Sequence, residues 1–494
     1  MAAGIAKHAF ISYVKEDKDA VDRLCRVLDR AGVPYWRDRK DLAPGDAWRA
    51  KIRSAIRDGS LVFLACFSDQ SRARSKSYMN EELTLAVDEF RQRPPGATWL
   101  IPVRFDEGEV PEWDLGAGRS LTDLNYADLF GESYAEEAAG LVASVTAVIG
   151  TEVDPSVQVS AVVAEADTDE RSALLRWHTK AMLPDSSRHI VLDDLIRQET
   201  RRVVDALTGP DFPTSPNGVP QEQMLAFAVE QALEMVRLVE PLCWSMQVAG
   251  RWAEPSTMRL WCDALKSVAA AGTQVQSGYT VLVALRSLPA LTLLTTGVLA
   301  AHASGRWDNV HALTSLTIPD QRRQAELLVN LVTPWNAFDS NELLPNVLAR
   351  SNRDGSDASV HFASLRAGRT PKLLTPISDW LMAWLQPCFD EQFASNAEYE
   401  NAFAAAETFL GVLSEDAAAT SEHRFGGSAW YGRDTWRDRY SDTNVVDDLL
   451  AEAKSAQEYW APLRSGLFGG DHRRALEALR KYRENFVRVA RDRS

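Results

Sequence analysis

Leu61-Val-Phe-Leu-Ala-Cys-Phe67 is an unbroken apolar run. Its length suits one strand, and side chains along a strand alternate between faces, so a run with no polar member must be buried on both sides. A sheet covered by helices on each face meets that condition, which points to parallel strands joined by helical crossovers. The flanking sequence alternates accordingly. His8–Tyr13 is a short β-type run. Asp17–Ala31 places Val21, Leu24, Cys25 and Leu28 at helical spacing, and Gly32 stops it. Val33–Trp36 predicts a strand, Ala47–Asp58 a helix, Ser75–Gln92 a helix ended by Pro94-Pro95, Trp99–Phe105 a strand and Tyr134–Ile149 a closing helix. In such α/β folds ligands sit beyond the carboxyl ends of the strands.

A different character follows. Residues 150–171 are acidic and rich in Val and Ala without a helical period, and they read as a linker after a domain at 1–149. Residues 172–494 carry long helical patterns such as Gln221–Val239, with Leu225, Ala228, Val229, Ala232, Leu233 and Val236 on one face. Eleven of the 15 tryptophans lie here, as expected for extensive helix–helix packing. Short hairpin-like fragments occur at Ala301–Trp307 and His472–Leu479, but no fixed repeat period emerges. The expectation is an all-α region of irregular helical pairs. Its most apolar stretch, Val281–Ala301, contains Arg286 and Pro289; too few apolar residues follow that proline to span a bilayer, so a buried helix is expected.

Composition narrows the function classes. A formal charge of −15, with no net positive charge in either region, argues against a nucleic-acid binder, which needs clustered Lys and Arg. Five scattered cysteines without CxxC spacing fit buried free thiols in a reducing cytoplasm. No signal-peptide pattern opens the sequence. Phosphate-cradling loops of the G-x-x-x-x-G-K-[ST] and G-x-G-x-x-G types are absent, as are H-E-x-x-H and G-x-S-x-G. The eight histidines show no metal-ligand spacing, and no metal or cofactor is expected. Trp430-Tyr-Gly-Arg-Asp-Thr-Trp-Arg-Asp-Arg-Tyr440 reads either as a packed corner or as a recognition loop.

Three short segments are expected on one rim. Ser12 and Tyr13 end the first strand. Trp36-Arg-Asp-Arg-Lys-Asp-Leu-Ala-Pro-Gly45 leads into a Pro-Gly loop able to close over a ligand, and Trp36 and Trp48 beside it serve either core or ligand. In the helix starting near Ser75, Ser75, Tyr78 and Glu82 share one side, while Met79, Leu83 and Ala86 form a separate apolar stripe. Glu82 should then face away from the core, with Glu81 about 100° round the helix. The plain alternative is that Glu82 is a solvated helix glutamate.

These segments, the Phe-Ile-Ser-Tyr strand, the W-x-D-x-x-x-L-x-P-G loop and an aromatic followed four residues later by glutamate, resemble those of Toll/interleukin-1 receptor (TIR) domains over about residues 6–149. The resemblance implies a flavodoxin-like parallel sheet. It implies Glu82 as catalytic residue of an NAD+-cleaving member, with Ser12, Tyr13, Leu42, Gly45, Trp48 and Tyr78 as substrate contacts and NAD+ as substrate. The family usually has tryptophan where this chain has Tyr78, whose ring can likewise stack on nicotinamide or adenine. Self-association through TIR domains, bacterial anti-phage immunity and a phage-derived protein trigger are implied too, with the helical region sensing the trigger or controlling assembly.

The chemistry suits a single carboxylate. Ordinary glycosidases need two, one of them to protonate the leaving oxygen. Nicotinamide leaves NAD+ as a neutral base, so only the cationic ribose needs stabilisation, through charge or a covalent intermediate. Two competing readings are a non-enzymatic TIR scaffold and a helical effector regulated by the TIR unit.

Overall fold

A computed structural model of the chain describes residues 8–37, 61–74, 77–92, 99–131, 134–149, 163, 166, 168–274, 277–319, 324–339, 343–354, 358–420, 430–437, 439–440 and 444–492. It divides into two units, residues 1–174 and 175–494.

The first unit runs β1 (His8–Ser12), α1 (Lys18–Arg30), β2 (Tyr35–Trp36), β3 (Leu61–Phe67), α2 (Asp69–Arg72), α3 (Tyr78–Phe90), β4 (Leu100–Arg104), β5 (Asp114–Gly116), β6 (Arg119–Ser120), β7 (Ala127–Asp128) and α4 (Tyr134–Ile149). Five strands form one parallel sheet in the order β2-β1-β3-β4-β7, with the apolar run as its central strand. Val62 to Cys66 are fully buried, as the run demands. In α1, Val21, Leu24, Cys25, Val27 and Leu28 point inward, and Gly32 takes the left-handed conformation (φ 66°) that lets the chain turn into β2.

One local expectation is corrected and two small elements are added. The helix expected from Ser75 begins at Tyr78, because the Ser77 side chain accepts the Asn80 N–H and caps it there. Ser75 lies outside the described residues, as does the helix expected at Ala47–Asp58. The fifth strand, β7, and the hairpin β5–β6 were not anticipated. Each has only two or three residues, too few to show a period. Arg104 at the end of β4 holds Asp128 of β7 through two bonds of 2.6 Å, a bidentate clamp on the sheet edge.

The second unit is a large helical region. The segment expected as a linker gives way to helix at Thr168–Met182, three residues before its expected end. The apolar stretch forms two helices, Thr280–Leu285 and Leu288–Ala303, with Pro289 in the first turn of the second. Leu288–Ala303 packs along Met224–Trp252, and Gly250 lets the backbones meet: a Cβ there would lie 2.8 Å from Ala300 Cβ. Thr280–Ala303 is long and apolar enough to cross a membrane, yet 78% of its most apolar 18-residue window is buried inside the protein. At the break, Arg286 is buried and donates to the carbonyls of Leu207 and Phe212, where helix His189–Thr208 ends. Burial lowers its pKa. The all-α expectation needs one amendment, an antiparallel hairpin of Thr317–Pro319 with Ala325–Leu327.

All five cysteines are buried free thiols. The Trp430–Tyr440 stretch is a packed corner in its first half: Trp430, Asp434 and Thr435 are buried, and Tyr431 stacks on Tyr482 with ring centroids 4.8 Å apart.

Candidate functional site

The rim is built where β1 and β3 end. Met79, Leu83 and Ala86 of α3 are buried in the core beside Phe10 and Phe63 of the sheet. That packing fixes the rotation of α3 and leaves Glu82 on the flank of the buried stripe, half-buried, with Glu81 exposed. Ser12, at the carboxyl end of β1 and 1% exposed, donates from its Oγ to Glu82 Oε2 at 2.7 Å. Two groups 70 positions apart in sequence therefore meet at the sheet edge. Of the oxygens on this carboxylate, one is held by a buried hydroxyl, so its position is set by the sheet and not by solvent.

Tyr13 follows Ser12. Its phenol is hydrogen-bonded to the guanidinium of Arg37, which also pairs with Asp22 of α1. Arg37 thus ties the exit of β2 to the exit of β1. Trp36 is half-buried at the margin of the core: its ring stacks on His8 (centroids 4.6 Å, interplanar angle 24°) and packs against the buried cluster. Tyr78 is the first residue of α3, one turn before Glu82. Leu42, Gly45 and Trp48 lie outside the described residues.

A second carboxylate stands on the same rim, one to which the sequence reading gave no role. Asp17, only 8% exposed, accepts the Ser68 hydroxyl at 2.7 Å. Ser68 directly follows β3 and caps α2 in a reciprocal arrangement with Ser71. Burial raises the Asp17 pKa, the charges of Asp106 and Glu16 add to the rise, and the Ser68 hydrogen bond and Arg72 oppose it. Arg72 in turn joins Asp69 and Asp106. The sequence offered only a serine immediately after the central apolar run; that it meets Asp17 follows from the pairing of β1 with β3.

Chemically, the edge offers a half-buried carboxylate oriented by a serine, and a nearly buried carboxylate on another serine. No curated protein and no solved structure matches the chain. Residues 9–142 match the family model described as TIR domain, a stretch that starts in β1 and ends within α4 and so takes in the whole parallel sheet. TIR domains serve NAD-related or signalling functions and commonly self-associate. Residues 9–142, within the first third of the chain, are thus similar to a TIR domain, and a large helical region follows them.

Proposed function

We propose that residues 1–149 form an NAD+ glycohydrolase in which Glu82 is the catalytic carboxylate. The observation that carries this reading is the Ser12–Glu82 hydrogen bond at the sheet's carboxyl edge. NAD+ is the substrate, held by Ser12, Tyr13, Leu42, Gly45, Trp48 and Tyr78. As the nicotinamide–ribose bond breaks, its electron pair leaves with the ring as neutral nicotinamide. The ribose gains oxocarbenium character, which the negative charge of Glu82 stabilises. Water adds to the cation and loses a proton, giving ADP-ribose; attack by the adenine ring would give a cyclic isomer. Ser12 holds the carboxylate in place, so that no reorganisation is needed as charge develops.

In this reading residues 150–171 link the enzyme to residues 172–494, which sense a phage-derived protein trigger or control assembly in cytoplasmic anti-phage immunity. Self-association of TIR domains would complete each active site with a loop from a neighbouring protomer, leaving a lone protomer nearly inactive. Neither nucleic acid nor a membrane is involved.

The test is nicotinamide release from NAD+ by the concentrated full chain, compared with Glu82→Ala. Release by the wild type and none by the variant is the expected outcome. Equal release from both removes Glu82 from the mechanism, and none from either, even when assembled, favours the scaffold reading. Ser12→Ala provides a second measurement. Loss of one charge-assisted hydrogen bond, about 1.5–3 kcal/mol, should lower kcat roughly 10- to 100-fold with KM changed far less. A KM effect alone would make Ser12 a binding residue only.

A further inference from the structure

The helical unit contains a buried acid that the proposed activity does not use. Glu407 lies on helix Asn396–Thr420 and fastens the strap Trp430–Arg437. Trp430 Nε1 donates to its Oε1 at 2.7 Å, the Ser378 hydroxyl to its Oε2 at 2.7 Å and the Arg433 backbone N–H to Oε2 at 3.1 Å. Gly432 allows this approach, since a Cβ there would collide with the carboxylate. Among the described residues no cation donates to Glu407. The Arg433 guanidinium turns instead to Glu400 at 3.3 Å and Asp379 at 4.0 Å. Behind the acid is a cavity of about 40 Å³ lined mainly by apolar side chains such as Leu291, Leu294, Leu381 and Phe403.

We propose that this strap is a proton-coupled latch: seating it on the helix takes up one proton at Glu407, and lifting it releases that proton. A lone carboxylate against an apolar wall is poorly solvated, so the neutral acid is favoured while the strap is down. Burial accordingly pushes Glu407 up to about 7; its hydrogen bonds pull the other way, and the buried Asp434 charge adds to the rise. The other facing groups do not neutralise it. Asp379 and Glu400 engage Arg433, Asp434 pairs with Arg437 at 3.2 Å, and Glu415 pairs with Lys481 at 2.7 Å. Tyr431 and Tyr482 are phenols whose pKa burial raises, so both stay neutral.

Geometry also accommodates the proton. Ser378 Oγ is both donor and acceptor, so it can accept from a protonated Oε2 instead of donating to it. The Arg433 N–H is 3.1 Å from both Ser378 Oγ and Glu407 Oε2 and keeps an acceptor in either state.

The sign follows from linkage. Lifted and hydrated, Glu407 returns to its ordinary value of 4.5, so lifting releases a proton between that value and about 7. Opening should therefore grow roughly tenfold per pH unit across that window and level off above it. Hydrogen exchange of the Arg433, Thr435 and Trp436 amides in the full chain, corrected for intrinsic rates, reads this directly. The expected result is protection falling with that slope from about pH 5 to 7, a flat profile in Glu407→Gln, and no such slope at Val298 and Leu299. A flat wild type, an unchanged slope in the variant, or the same slope at Val298 would overturn the latch. Should Glu407→Gln fail to fold, the carboxyl carbon of Glu407 can be titrated by NMR in the wild type. Titration near 4.5 overturns the proposal, and titration near 7 supports it.

Discussion

Glu82→Gln should lower nicotinamide release about 10²- to 10³-fold while leaving folding stability within about 1 kcal/mol of the wild type. The two halves of this expectation have separate causes. Glutamine keeps the shape of the side chain and an oxygen that can accept from Ser12, so the contact between β1 and α3 survives. It lacks the charge that would stabilise a ribose cation, and electrostatic terms of that kind are worth several kcal/mol in a partly dry site. Single-turnover kinetics with NAD+ together with thermal unfolding test both halves. A variant that loses activity only in proportion to lost folded protein would assign Glu82 a packing role. Glu81→Gln is the internal control: its exposed side chain lies elsewhere on the helix, so the rate should stay within about twofold.

Gly411→Ala should destabilise the chain by about 3 kcal/mol, although alanine is the better helix former by about 1 kcal/mol. Gly411 is within helix Asn396–Thr420, beneath the strap. A Cβ there would overlap the Tyr482 ring and come within 2.6 Å of the Trp430 carbonyl oxygen. Neither can step aside. Tyr482 is fully buried and donates its phenol hydrogen to that same carbonyl at 2.8 Å. The crowding therefore outweighs the propensity gain. Gly140→Ala in α4 reverses the balance, because Gly140 is exposed and a Cβ there meets nothing within 4 Å. That variant should gain up to about 1 kcal/mol. Denaturant midpoints for the pair, read at constant slope, check both; a Gly411→Ala chain as stable as wild type would show that the strap is loosely seated.

What the sequence revealed depended on length and contrast. The run Leu61–Phe67 and the stripe Val21–Leu28 are long enough for their periods to be read, and both lie where they were expected. β7 and the β5–β6 hairpin are held by pairing and by the Arg104–Asp128 clamp, which are non-local and leave no mark on neighbouring residues. The flank occupied by Glu82 followed from helical spacing, because the same helix also carries the apolar stripe that sets its rotation. Its partner could not be read in this way: meeting Ser12 requires β1 and α3 to be packed together. The same applies to Asp17, whose significance depends on Ser68 lying across the sheet edge. Trp36 had two open roles; it stacks on His8 and packs, half-buried, against the core cluster, which favours the core role. For Trp430–Tyr440, composition alone could not separate surface from interior, since Trp, Tyr and Arg favour both; the carboxylates that fasten it come from another helix.

The inward placement of every thiol gives the molecule its own reporter. Cys25 and Cys66 sit in the first unit, and Cys243, Cys262 and Cys388 in the second, all sealed from solvent. Burial also raises the pKa of each, depleting the reactive thiolate. An alkylating reagent should thus leave the native chain unmodified and label a cysteine only when its surroundings breathe open. Mass mapping of the tagged peptides over time would then rank the two units by how often each comes apart.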